Sequence, residues 1–517
     1  MSTPSPRESV DAYGPWHPGV ESPIPEELRP LATVFRPENV LTAMDAAREL
    51  RDLTGLDLAD LVAFRPERLA LHEVLIRVTA NISVPVGERI GDLGINFRRI
   101  TRTILASQIE TRMQAVAAAY ATVKLAAAKI ARAEVDRAFD ARDPHAIVAE
   151  WEKRVARSGD AVQRETHRAL ARVISAVRVR HGRLWGLRDV IAALACDLAC
   201  NAAGSEAIGT LIEPWVLEAA RREGYRVLPP QERPVVMNTK GPSASGKSSL
   251  RPLQRRLAAE IGVQWEDFSL VSPDIWRKQL LEYESLGPAF RYAGPFTGEE
   301  LRIVDLKLDK YMAAKAERGA MSHLLIDRFR FDSFAPQSDE AGSNLLTRFG
   351  HTIYLFFMIT PPGMLVERAW TRGLEFGRYK AVEDTLAHGV EAYAGMPELF
   401  FTWVRRTDKR VHFEFLDNSV ALGERPRTIA FGWNDIIYIL DREGLLDVER
   451  FRHVNIKARS PAELWTDPAA LAPGRNDAFL KRCIAGFREV VFVGEGSRPI
   501  PAEERAHTLG QWSDRPA

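Results

Sequence analysis

The sequence predicts an α/β fold: a parallel sheet of five strands carrying a glycine-rich loop, preceded by an all-α helical domain. Three observations predict it. Residues 241–248 read Gly-Pro-Ser-Ala-Ser-Gly-Lys-Ser, set between a short apolar run at 234–239 and a segment, 249–261, with apolar side chains at helical spacing. Beyond 234, short apolar runs alternate with helical segments, the pattern of βαβ units stacked into a three-layer sandwich. Before 225, helical periodicity is almost unbroken.

In chain order, residues 1–36 are rich in Pro and Ser and read as a flexible tail. The helical domain spans 37–225, with helices expected over 39–53, 66–78, 96–139, 145–179, 185–200 and 207–223. Leu228-Pro229-Pro230-Gln231-Glu232-Arg233-Pro234 is a proline-rich boundary. The α/β domain covers 234–420. Its five strands are expected at 234–239, 268–271, 323–326, 352–359 and 412–416. A C-terminal extension, 421–517, carries helices near 434–442 and 477–490 and ends in a polar tail.

Composition excludes several classes. The 517 residues are 46% hydrophobic and 27% charged, with a net charge of +1, so no global field argues for nucleic acid or a membrane surface. Three cysteines are too few for a disulfide framework, and Cys196 and Cys200 in an Ala-rich helix read as core packing. No signal peptide and no bilayer-spanning stretch is read, so a cytoplasmic location is expected. Basic residues outnumber acids in the middle of the helical domain, for instance Arg98, Arg102, Arg154, Arg164, Arg168 and Arg172. They read as the solvated face of long helices, with an anionic partner as the alternative. Nucleic acid is not expected, because no aromatic residues are interleaved with the arginines.

The glycine loop fits the phosphate-cradling pattern G-x-x-x-x-G-K-[ST]. Loop N–H groups and the following helix N-terminus would point at phosphates. Lys247 would reach the β- and γ-phosphates of ATP, and the Ser248 hydroxyl would ligate Mg²⁺. The nucleotide-binding set is therefore Gly241, Ser243, Ser245, Gly246, Lys247, Ser248 and Ser249.

Four further places carry candidate chemistry. Asp274, in Ser272-Pro273-Asp274-Ile275-Trp276-Arg277, follows the second strand, at the sheet edge where ligands sit. It would accept or orient the proton of an attacking hydroxyl; alternatively Ser272 caps a helix and Asp274 complements its dipole. Asp327 ends the third strand and would act on Mg²⁺, or is a turn residue. Arg368 and Arg372 share a helix face after the fourth strand, and Arg378 follows a Gly-containing bend. Arginines on a mobile segment over the phosphates would stabilise charge on the transferring group, or else lie on a solvated helix. Asn418, past the fifth strand, lies at the edge where an adenine would sit, or in a plain turn.

Together these residues resemble the zeta-toxin-like group of P-loop kinases over about 234–420. The resemblance implies an α/β P-loop NTPase core with strand order 2-3-1-4-5 and ATP-dependent phosphorylation of a small-molecule hydroxyl. It implies Asp274 as the substrate-activating base, Arg368, Arg372 and Arg378 as lid arginines, and Asn418 near the nucleotide base. Members that act as toxins phosphorylate an activated amino sugar. The chain departs from the pattern after the third strand. Where the family has an acid followed by Gly-Thr, it reads Asp327-Arg328-Phe329-Arg330-Phe331-Asp332. Bulky residues thus stand where small ones line the family's acceptor pocket. Two other readings are an ATP-gated switch whose helical domain binds a protein partner, and a kinase of nucleic-acid ends.

Overall fold

A computed structural model describes residues 13–328, 344–421, 423–494 and 500–512. The run Phe329-Arg330-Phe331-Asp332 lies outside them. Among the described residues eight α-helices precede the sheet: α1 (Met44–Thr54), α2 (Pro66–Asn81), α3 (Asp92–Ile104), α4 (Met113–Asp140), α5 (Pro144–Arg157), α6 (Ala161–His181), α7 (Arg188–Ala199) and α8 (Ser205–Arg222). Two long expected helices are broken. The 96–139 run is interrupted by a π-helical turn at Leu105–Ile109 between α3 and α4. The 145–179 run breaks at Ser158-Gly159-Asp160, where the Asp160 carboxylate accepts from Gln163 N and starts a new helix.

The α/β region then runs β1 (Val235–Lys240), α9 (Arg251–Glu260), β2 (Phe268–Val271), α10 (Arg277–Leu280), α11 (Ala293–Phe296), α12 (Gly298–Glu317), β3 (His323–Ile326), α13 (Asn344–Thr347), β4 (Thr352–Ile359), α14 (Pro362–Phe376), α15 (Val382–Val404) and β5 (Arg410–Asp417). The C-terminal part adds β6 (Arg427–Trp433), β7 (Ile436–Ile439), α16 (Arg442–Arg450), α17 (Ala478–Gly486) and β8 (Glu489–Phe492).

Among the described residues the sheet has eight strands, ordered β2-β3-β1-β4-β5-β6-β7-β8. The expected count of five is therefore corrected. Pairing is parallel from β2 through β5, antiparallel for β5–β6 and β6–β7, and parallel again for β7–β8. The extension after 420 continues the sheet, and the helix expected at 434–442 is replaced by β7. A four-residue apolar run cannot be assigned to helix or strand by periodicity alone. Every residue of β1, β2 and β3 is buried, as parallel strands covered on both faces require.

The helical region is fused to the sheet edge. Helix α2 has twelve buried residues out of sixteen, the mark of a helix covered on all sides. Its Thr79 carbonyl accepts from Ser269 Oγ of β2 at 2.8 Å, and its Thr79 hydroxyl accepts from Trp276 Nε1 at 3.2 Å. Arg68 and His72 of α2 both bond the buried Glu300 of α12. One continuous hydrophobic core joins helices and sheet. The proline-rich stretch runs along this interface: Leu228 N donates to Asn81 O.

Two further expectations need correcting. From Tyr13 onward the segment read as a flexible tail is packed: Thr33 and Val34 are buried, and Val20 packs on Tyr379 and Ala381. Among the described residues, the helical run Arg188–Arg222 is long and apolar enough to cross a membrane, contrary to expectation. Of its most apolar window 61% is buried inside the protein, as in a core helix. Cys196 and Cys200 are free and buried in that core.

Candidate active site

Strand β1 delivers the chain into the glycine loop, and α9 leads away from it. The loop needs two glycines for different reasons. A Cβ on Gly241 would meet Met358 Cβ at 2.8 Å, so only glycine lets the loop pass β4 this closely. Gly246 has φ +90°, and a Cβ there would meet Asn418 Nδ2 at 2.3 Å. Ala244, at φ +66°, holds a left-handed conformation at the loop tip, a strain typical of ligand-binding turns. A 3₁₀ turn, Lys247–Leu250, comes before α9, whose Pro252 suits the first turn.

The loop and its neighbours open into one cavity of about 430 Å³. Of the nucleotide-binding set, Ser243, Gly246, Lys247, Ser248 and Ser249 line it. Gly241 and Ser245 do not: both are buried behind the loop, and the Ser245 carbonyl accepts from Asn418 Nδ2 at 2.7 Å. Asn418 thus staples the loop to the end of β5. It also lines the cavity.

Lys247 Nζ donates to the carbonyls of Gly241 and Pro242 at 3.0 and 2.7 Å. Burial pushes its ammonium below the usual lysine range; Asp327 and Asp274 oppose this, while Arg372 and Arg378 reinforce it. Ser248 Oγ donates to Asp327 Oδ2 at 3.0 Å, so the strand-ending carboxylate and the loop hydroxyl meet as expected. A hydroxyl and one carboxylate suit Mg²⁺, which keeps several waters and takes its other oxygens from phosphates. Among the described residues no group of three or more His, Cys, Asp or Glu side chains could hold a metal by itself. The sequence reading missed Arg251, whose Nη2 lies 3.0 Å from the same Asp327 oxygen. A metal at this pair would share that oxygen with a guanidinium or displace it.

Asp274 lies on a 3₁₀ turn, Pro273–Trp276, at the end of β2. Ser272 does not cap this turn; its hydroxyl instead accepts from Arg251 Nη2 at 3.4 Å. Arg277 Nε donates to Asp274 Oδ1 at 2.9 Å, while its Nη1 is anchored on Gly294 O and Thr297 Oγ1. Arg378 Nη2 pairs with the other carboxylate oxygen at 2.6 Å. Burial alone would raise this carboxyl's pKa, but Arg378, Arg277 and Arg372 hold it well below the usual carboxylate range.

Helix α14 buries Leu365, Val366, Ala369 and Gly373 and ends at Gly377, which is left-handed at φ +70°. The three arginines near it have different surroundings. Arg372 Nη1 reaches Ser243 Oγ of the glycine loop at 3.4 Å, and its buried Nε has no partner among the described residues. Burial and Arg378 push its pKa down to about 9, so it is still a cation at neutral pH. Arg368 Nη2 donates to the carbonyls of Asn418 and Val420, both at 2.8 Å, which ties it to the turn after β5; its Nη1 is buried and has no partner among the described residues. Arg378 stands on Asp274.

The bend carrying Arg378 is anchored rather than loose. Tyr379 is buried against Trp370 and Phe290, with Arg291 over its ring. Gly373 makes room for that ring: a Cβ there would meet Tyr379 Cδ1 at 2.4 Å. We therefore expect Gly373→Ala to displace Tyr379 and, with it, Arg378. The expected cost is about 1–3 kcal/mol of stability from overpacking. Thermal unfolding of the variant beside the native chain checks the loss.

Arg328 departs from expectation. Its side chain turns away from the cavity and is buried between Asp305 and Asp309 of α12. Part of the basic stripe of the helical domain is ion-paired: Arg154 with Glu134 and Glu150, Arg164 with Glu206, Arg168 with Glu165, and Arg172 with Asp60.

The sequence reading also missed the cavity's far wall. Ile90, Gly94, Ile95 and Arg98, from α3 and the turn before it, line the cavity together with Tyr283 and Phe376. Their separation in sequence from the glycine loop gave no signal of this. Comparisons with protein-family models, curated proteins and solved structures return no match to this chain.

Proposed function

We propose that this protein is an ATP-dependent kinase of the zeta-toxin-like kind, transferring the γ-phosphoryl group to a hydroxyl of a small molecule. One observation carries the reading: a single cavity holds the glycine loop, the Ser248–Asp327 pair and the Asp274–Arg378 pair. A nucleotide switch needs the first two, but has no use for a second carboxylate held ionised by arginines.

In this reading the loop N–H groups and Lys247 hold the β- and γ-phosphates. Ser248 and Asp327 would hold Mg²⁺, which would supply positive charge to offset that of the phosphates. Arg372, already on the loop's Ser243, has a buried Nε–H that a phosphate oxygen would satisfy. Asp274 receives the acceptor hydroxyl. The arginines that keep it ionised also make it a weak proton acceptor, so its main effect is to aim the hydroxyl in line with the phosphorus. Arg378 neutralises Asp274 and stands next to the path of the transferring group.

Incubation with γ-labelled ATP, Mg²⁺ and a small-molecule cell extract tests the proposal. The expected product is a labelled organic phosphoester. Label found only in free phosphate would favour the ATP-gated switch instead.

A further inference from the structure

Resting on the kinase reading, the far wall of the cavity points to a substrate class. We infer that the acceptor carries an anionic group, phosphate or carboxylate, held between Arg98 of α3 and Lys278 of α10, with an apolar portion against Ile90, Ile95 and Phe376.

The charge balance supports this. Eight cationic side chains and four carboxylates line the cavity. Lys247, Arg368 and Arg372 lie on the glycine-loop side, Arg251 is taken by Asp327, and Arg277 and Arg378 are taken by Asp274. Arg98 and Lys278 remain. Among the described residues neither has a carboxylate within ion-pairing distance. Lys278 lies 5.3 Å from the centre of the Tyr283 ring, and Arg98 folds back over Gly94. Burial lowers the pKa of both cations, and each is lowered further by a neighbouring cation: Lys278 by Arg98, and Arg98 by Arg102. Glu284 acts on Lys278 only at longer range. Two partly buried cations lining one cavity, neither ion-paired among the described residues, are unfavourable until an anion binds.

The shape of α3 supports it as well. Leu93, Phe97, Ile100, Thr101 and Ile104 bury one face of the helix and fix its position. The face toward the cavity carries Gly91, Gly94, Ile95 and Arg98, at helical spacing. Glycine at the first two leaves that face bare; a Cβ on Gly91 would already meet the Phe376 ring at 3.3 Å. Ile90 and Ile95 are about half exposed, at 52% and 56%, so apolar surface flanks the cation pair at the mouth. This assigns the helical region a direct part in the site: it supplies one wall of the acceptor pocket.

The test splits the small-molecule extract on an anion-exchange resin before γ-labelled ATP and the full-length protein are added. Label should enter a compound from the retained, anionic fraction. Label entering only compounds from the unretained fraction overturns the inference and leaves the kinase reading standing. Label in neither fraction, only in free phosphate, sinks both. Treating the anionic fraction with immobilised phosphatase separates the two sources: loss of the acceptor marks a phosphate, survival a carboxylate. With the purified acceptor, Arg98→Gln and Lys278→Gln should each raise its KM about tenfold, the usual worth of one charge-assisted hydrogen bond. KM for ATP should stay within about twofold, and Arg98→Lys should recover part of the loss. Equal effects on both substrates would mark the two residues as merely structural and overturn the assignment.

Discussion

Lys247→Ala is expected to reduce phosphoryl transfer by at least about 10³-fold in kcat, the scale of removing a preorganised charge from a developing anion. The ammonium lies in the loop it serves, bonded to the Gly241 and Pro242 carbonyls and partly desolvated. A cation in that setting acts through a lower effective dielectric than one in water, so each phosphate oxygen it meets is stabilised more. The backbone does not depend on it, because Asn418 and Thr360 hold the loop independently at the Ser245 carbonyl. Thermal unfolding of the variant should therefore stay close to that of the native chain while turnover collapses. Steady-state kinetics with the purified acceptor check this, and a fully active variant would remove the kinase reading.

Asp274→Asn is expected to lower kcat by 10²–10⁴-fold, the range typical for a positioned acid–base group, with ATP binding retained. The amide keeps the shape and still accepts from Arg277, but it loses the charge that orients an attacking hydroxyl. Arg378 and Arg277 then stand uncompensated, so affinity for ATP should hold or rise. The pH profile carries an independent signature. A carboxylate with a depressed pKa works wherever it is ionised and fails only as pH falls through that lowered value. The acid limb of kcat/KM therefore lies below the ordinary carboxylate range. Arg378→Gln removes the cation that lowers the pKa most, which raises it and moves the acid limb to higher pH. An acid limb unmoved in that variant would show that Asp274 does not set it.

The parts of this molecule that were legible in sequence are those governed by local physics. The glycine loop, the strand-ending Asp327 and the strand β4 each follow from residues a few positions apart. Parallel strands buried on both faces read as continuous apolar runs, and those at β1 to β5 were found for that reason. Strand β7 was not, because Ile436 to Ile439 fit a helix face as well as a strand. The roles of single side chains were less legible. Arg368 and Arg372 share a helix face, yet one bonds the carbonyls after β5 and the other reaches the glycine loop. Arg251 was hidden because a helix position next to the loop gives no hint that its guanidinium turns onto Asp327. The wall formed by α3 was illegible in principle. It depends on α2 docking against β2, which no local pattern encodes.

The central claim is that the γ-phosphoryl group goes to an organic hydroxyl aimed by Asp274. The most direct measurement is the partition of the γ-phosphate between phosphoester and inorganic phosphate, read by phosphorus NMR with the full-length protein, ATP, Mg²⁺ and a small-molecule extract. The native chain should give a phosphoester resonance that is lost in Asp274→Asn and Lys247→Ala. Inorganic phosphate as the sole product, or a phosphoester yield unchanged in Asp274→Asn, would contradict that claim.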